Sequence, residues 1–225
     1  DFSIEKSGEF EMKLEHIKRN MMQMGQNVES ALDSAIKALA QRKIEGFKAV
    51  HEIEKNINQF HIQLDDECLS FLAMHGPVAK DLRLIFSIIK INADLERMGD
   101  QAVNIAYTGK DYMGRLPITL PAEIEEMSHI VQKMVRDSLD SFVREDLALA
   151  QEVLLLDNKV DVRRTQVFKN LMQLIRQQPE NVEAAMDIIL IARNLERVGD
   201  HATNIAEDVI FIGTGKDIRH GGQKV

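Results

Sequence analysis

Apolar residues recur along the chain every three or four positions, and strand-like alternation is absent. Ile17, Met21, Met24, Val28, Leu32, Ala35 and Leu39 form one such stripe. Ile124, Met127, Val131, Met134, Val135, Leu139 and Phe142 form another. Both have the spacing of one face of an α-helix. The four prolines, Pro77, Pro117, Pro121 and Pro179, all fall between periodic segments. Proline breaks a helix interior but is tolerated in a first turn, so these positions punctuate helices. The pattern predicts six helices, at about 9–42, 46–74, 78–108, 121–144, 147–177 and 180–212. At ~1.5 Å of rise per residue the first would be ~50 Å long, which implies an elongated bundle. Residues 109–120, with Gly114 and Pro117, read as a linker, and 1–8 and 213–225 as tails.

The two halves repeat one another. Residues 86–106 and 186–206 align without a gap, FSIIKINADLERMGDQAVNIA over MDIILIARNLERVGDHATNIA, with twelve identities in twenty-one positions. Unrelated sequences of average composition would share about one or two. A shift of three residues extends the match upstream. Val50, Ile53, Glu54, Ile57 and Asn58 then stand over Val153, Leu156, Asp157, Val160 and Asp161. The fold expected is all-α: two tandem three-helix bundles, residues 9–108 and 121–212, made by duplication of one unit.

Composition narrows the function classes. With 28 basic and 36 acidic residues the net charge is −8, and no basic run occurs, so a nucleic-acid partner is not expected. No window is apolar for the ~18 residues a bilayer crossing needs, so no membrane insertion is expected, and no signal peptide is evident. The single cysteine, Cys68, lies at helical spacing from Leu64 and Leu72 and reads as a small buried thiol. One cysteine excludes an intramolecular disulfide and suits a reducing, intracellular compartment. The methionines, Met21, Met24 and Met134 among them, read as flexible core filler. There is no Ser/His/Asp order, no Walker motif and no His-Glu-x-x-His signature.

The chemistry lies in repeated acidic pairs. Glu96 and Asp100 are four apart, as are Glu196 and Asp200. On a helix such residues share a face, about 5–6 Å apart, and two carboxylates there repel. An arrangement mildly unfavourable by itself, present twice in equivalent places, invites a compensating cation. Each stripe continues to Asn104 or Asn204, and the second helix of each half offers Glu54/Asn58 or Asp157/Asp161. All-oxygen ligation selects hard ions such as Mg²⁺, Mn²⁺ or Ca²⁺ and can hold iron. The metal ligands expected are therefore Glu54, Asn58, Glu96, Asp100, Asp157, Asp161, Glu196 and Asp200. The competing reading is a solvated acidic face. Ligand charge counts four in the second half and three in the first, where Asn58 is neutral, so the second site is expected to be tighter. Gly99 and Gly199 read as close helix contacts, Arg97 and Arg197 as surface ion pairs, and His201 as solvent-facing.

The runs Asp94-Leu95-Glu96-Arg97-Met98-Gly99-Asp100 and Asn194-Leu195-Glu196-Arg197-Val198-Gly199-Asp200 resemble the paired signature of the PhoU family of phosphate-signalling proteins. Asp66-Glu67-Cys68 and Pro77-Val78-Ala79-Lys80-Asp81-Leu82-Arg83 resemble its first repeat, and the similarity runs from about Lys13 to Gly213. The resemblance implies two three-helix bundles with metal clusters on E(D)-x-x-x-D pairs, the ion being iron, manganese, magnesium or zinc. It implies a non-enzymatic, cytoplasmic regulator, peripheral to the membrane through its partners. Those partners would be the ATPase subunit of the phosphate ABC transporter and a sensor histidine kinase repressed when phosphate is plentiful, and the chain would be a homodimer. Two other classes stand beside this reading: a carboxylate-bridged metal enzyme in a helical scaffold, and a metal-free structural adaptor.

Overall fold

The structure is a computed structural model that describes residues 2–215 and Ile218. Its elements are α1 (Phe2–Gln41), α2 (Glu45–His75), α3 (Ala79–Met113), α4 (Ala122–Arg144), α5 (Leu147–Gln177) and α6 (Val182–Thr214), with a 3-10 turn, Pro179–Asn181, leading into α6. Both stripes read from the sequence are buried along their length, from Ile17 to Leu39 and from Ile124 to Phe142. Helix ends follow local chemistry. Gly76, at φ 50°, closes α2 with its N–H on the Leu72 carbonyl. The Asp146 side chain caps α5 by accepting from the Leu149 N–H at 3.0 Å.

Three boundaries differ from expectation. The linker was placed at 109–120, but α3 runs on to Met113 and the connector begins at Gly114. Gly109 is a mid-helix glycine because a Cβ there would stand 2.8 Å from Leu39 and from Phe47. It marks a close approach of α3 to its neighbours, where the sequence alone suggested a stop. Tyr112, buried, donates to the Ile118 carbonyl at 2.6 Å and folds the connector back onto the helix end. The expected tail 1–8 is helical from Phe2, since nothing in it stops a helix, and Phe10 packs at a tilt on Phe71 and edge-to-face on His75 of α2. At the other end α6 continues to Thr214; residues 216, 217 and 219–225 of the expected tail lie outside the described residues.

Helices α1–α3 and α4–α6 form the two bundles, and one continuous core joins them, with α3 against α6 and α1 against α4. The α3–α6 seam is antiparallel. Lys90 pairs with Asp208, and Asp94 meets His201 and Asn204, so ascending numbers on α3 face descending numbers on α6. That geometry puts the two copies of the repeated motif on one central helix pair. Each copy faces the second helix of its own half.

Candidate metal centres

In the first half, α3 presents Glu96 and Asp100 toward Glu54 of α2. Burial raises both Glu96 and Asp100 above the ordinary carboxylate range, and the Glu54 charge pushes each further the same way. Asn58 donates its amide to Glu54 Oε1 at 2.7 Å. The amide therefore tethers one carboxylate of the group. Nearby, one nitrogen of His61 is buried without a hydrogen-bond partner, and its Nε2 stands 3.9 Å from Asp65. The His61 imidazole also eases the Glu96 charge.

In the second half, Asp157 and Asp161 of α5 face Glu196 and Asp200 of α6. Asp157 is pushed up to about 6, first by burial and then by Asp161, Asp200 and Glu196. Its Oδ1 is buried with no hydrogen-bond partner, 3.8 Å from where a Cβ on Gly199 would sit. Burial also raises Glu196 and Asp200, and Asp161 repels both. Arg164 of α5 opposes this, its Nε 3.2 Å from Glu196 Oε2. A groove of about 570 Å³ opens alongside, lined by Arg164, Phe168, Ile189, Arg193, Arg197 and Asp200.

The structure thus brings the predicted ligands of each half into one electrostatic neighbourhood. Among the described residues, no three acidic, thiol or imidazole side chains stand close enough in this conformation to hold an ion between them. The donor set nevertheless fits a hard cation: mutually repelling carboxylates, with an orphaned buried oxygen on Asp157.

Some expectations change. His201 does not face solvent; its Nδ1 lies 2.8 Å from Asp94 Oδ1 across the seam. Asn204 joins the same carboxylate at 3.2 Å and does not extend the acidic stripe. Arg197 lines the groove, where its charge eases that of Asp200. Gly99 is a close contact, a Cβ there meeting Ile57 at 3.1 Å, but Gly199 has ordinary clearance, 3.7 Å to Met134. Cys68 is fully buried, and burial pushes its thiol up to about 12, as an inert core thiol requires. His61 and Arg164 were missed, although continuing the three-residue shift one turn past Asn58 and Asp161 would have pointed to both.

Fold and site define a duplicated, all-helical protein with one carboxylate cluster per repeat. The family model described as PhoU domain matches residues 21–108 and again 124–209, so the chain belongs to the PhoU family. It is 39% identical over 225 residues to the phosphate-specific transport system accessory protein PhoU homolog of Pseudomonas aeruginosa, covering 96% of this chain and 90% of that one. It is 33% identical over 216 residues to the phosphate-specific transport system accessory protein PhoU of Escherichia coli, covering 96% and 90%. The crystal structure of PhoU from Pseudomonas aeruginosa superposes with a TM-score of 0.87 at 37% identity, covering 92% of this chain and 99% of that one. The phosphate transport system regulatory protein PhoU from Streptococcus pneumoniae gives 0.85 at 26% identity, covering 92% and 98%.

Proposed function

We propose that this chain is an accessory regulator of phosphate transport that acts by docking, without catalysing a reaction of its own. The observation that carries the reading is the paired family domain, spanning both bundles, in a chain aligned over nearly its full length with relatives named for that role. Its partners would be the transporter's ATPase subunit and the sensor histidine kinase, and it would work as a homodimer on the cytoplasmic side of the membrane. Among the described residues no helix is long and apolar enough to cross a membrane, which supports attachment through partners. One continuous core running through both bundles supports a two-faced adaptor, because close packing resists local rearrangement and passes a shift on.

The acidic clusters would hold divalent or trivalent metal ions. Glu54, Glu96 and Asp100, with the amide oxygen of Asn58, would serve the first site, and Asp157, Asp161, Glu196 and Asp200 the second. A cation held there would supply charge compensation between the second and third helices of each half. The residues themselves hold the oxygens in place and exclude water on the core side. The test of the functional reading is a pull-down of the full chain with the ATPase subunit and the kinase at high and low phosphate. Phosphate-dependent retention of either is expected. Failure to retain both under all conditions would overturn it.

A further inference from the structure

The groove of about 570 Å³ between α5 and α6 is graded along its length. On α6, Val182, Met186, Ile189, Arg193, Arg197 and Asp200 recur every three or four residues and so share one face of the helix. On α5, Asp161, Arg164 and Phe168 do the same, and the contacts of Asp157 near Gly199 and of Arg164 with Glu196 show that the two helices run in opposite directions. Carboxylates therefore stand at one end, guanidinium groups in the middle and apolar side chains at the other end. Arg193 and Arg197 are exposed, Phe168 is 51% exposed, and Met186 and Val182 are exposed as well. Contiguous apolar surface rimmed by charge marks an interaction site. The repeat supplies an internal comparison. The counterparts of Arg164, Phe168 and Arg193 in the first half are His61, Asp65 and Ala93. There a single arginine, Arg97, stands among three carboxylates, Asp65, Glu96 and Asp100, whereas the α5–α6 groove sets three arginines against Glu196 and Asp200. The first bundle packs without a basic, aromatic surface at these positions, so the fold itself does not require one.

We propose that the α5–α6 groove docks an acidic amphipathic helix of a partner protein. The inference rests on the reading of this chain as a docking regulator and deepens it by naming a surface. Apolar side chains of the partner pack on Phe168, Met186 and Val182, and its aspartates and glutamates meet the guanidinium groups, whose planar fork matches a carboxylate. From Val182 to Arg197 the face extends for ~22 Å at ~1.5 Å per residue, longer than one small ligand and suited to a helix laid in a groove. Charge decides against nucleic acid. Asp161 and Asp200 stand at the end of the same groove and would repel a continuous phosphate backbone, in a chain of net charge −8. The same two carboxylates give the docked helix a direction. Its acidic residues lie over Arg193 and Arg197, and the end nearest Asp200 is neutral or basic.

The probe is a labelled synthetic helical peptide of about sixteen residues, with leucine every three or four positions and aspartate or glutamate between, beside a twin in which lysine replaces every acid. Fluorescence anisotropy is read with the full chain, and circular dichroism confirms that each variant is folded. The acidic peptide should bind about tenfold or more tighter than its twin, and more weakly as salt rises. Arg193→Glu with Arg197→Glu should weaken it by about tenfold or more, and Phe168→Ala by about fivefold. Arg97→Glu, the equivalent reversal in the first half, should change it by less than about twofold. Equal binding of the two peptides, or an Arg97→Glu loss as large as that of the double reversal, overturns the proposal. Binding of orthophosphate with the same arginine dependence, and of neither peptide, overturns it in favour of a small-anion site. A change of oligomeric state in the double variant, measured by sedimentation, overturns it in favour of a second copy of this chain. In the pull-down with the ATPase subunit and the kinase, the double reversal should lose one of the two. Retention of both would sink the groove and leave the docking reading standing, whereas a parent chain that binds the acidic peptide but retains neither partner would defeat the docking reading for those partners and keep the groove.

Discussion

Asp94 of α3 and His201 of α6 meet at 2.8 Å across the seam between the halves, where Asn204 adds a second donor to the same carboxylate at 3.2 Å. The repeat does not preserve this arrangement. At the position equivalent to Asp94 stands Asn194, whose side chain donates to the Leu190 carbonyl of its own helix. Duplication supplied two similar surfaces, and divergence placed a polar clasp on one side of their contact.

That asymmetry predicts unequal mutants at equivalent positions. Asp94→Ala leaves the largely buried His201 donor without its partner, while Asn204 is exposed and can turn to water, and should cost about 1–2 kcal/mol. Asn194→Ala, at a helix surface, should stay within about 0.5 kcal/mol. Urea unfolding of the two variants checks this. Equal losses would mean that the clasp contributes nothing specific.

The Lys90–Asp208 pair gives a second test of the seam. Asp208 is buried and Lys90 is partly exposed, so Lys90→Met leaves a buried carboxylate without its lysine. A loss of about 2–3 kcal/mol is expected, against a smaller one for Lys90→Met combined with Asp208→Leu. A double change that costs the sum of the single changes would contradict the pairing.

Two mid-helix glycines should respond oppositely. Gly109→Ala forces a Cβ to 2.8 Å from Leu39 and Phe47, and should lower stability by about 1–3 kcal/mol. Gly199→Ala has 3.7 Å of clearance and gains up to about 1 kcal/mol of helix propensity, or about 2–4 °C in Tm for a chain of this size. Calorimetry of both variants decides it.

Asp157 sets a pH dependence whose sign is opposite to that of a salt-bridged carboxylate. Its folded value is about 6 against an ordinary 3.8, so the folded state binds the proton more tightly than the unfolded chain. Stability from this group is therefore present in acid and lost as pH rises from about 4 to 6. Asp157→Asn should stabilise the metal-free protein at pH 7 by about 1 kcal/mol, the figure being reduced because the side chain is only partly buried. It should also flatten the stability profile between pH 4 and 6, measured as Tm against pH in chelator. A profile unchanged from the parent would place the charge repulsion elsewhere.

The helices were legible because their information is local. The stripes from Ile17 to Leu39 and from Ile124 to Phe142 are buried as their spacing demands, and proline marks the breaks. The α3 terminus was not, because Gly109 records contacts with Leu39 and Phe47, residues some sixty to seventy positions away. The carboxylate groups were legible through repetition, which turned a weak i, i+4 pattern into two. His201 was misread for the reason that hid the seam: its partner, Asp94, lies 107 residues away in the other half. His61 and Arg164 escaped because each is unremarkable alone, and meaning appears only when the two are aligned.

The central claim, that the paired acidic motifs are metal centres, is tested most directly by elemental analysis. Protein loaded with Mn²⁺ and passed through a desalting column should retain metal. The quadruple variant Glu96→Gln, Asp100→Asn, Glu196→Gln, Asp200→Asn should retain none, while its helical circular dichroism matches the parent, because charge is removed and side-chain shape kept. Metal retained in equal amount by the quadruple variant would contradict the account and leave the motifs as a solvated acidic face.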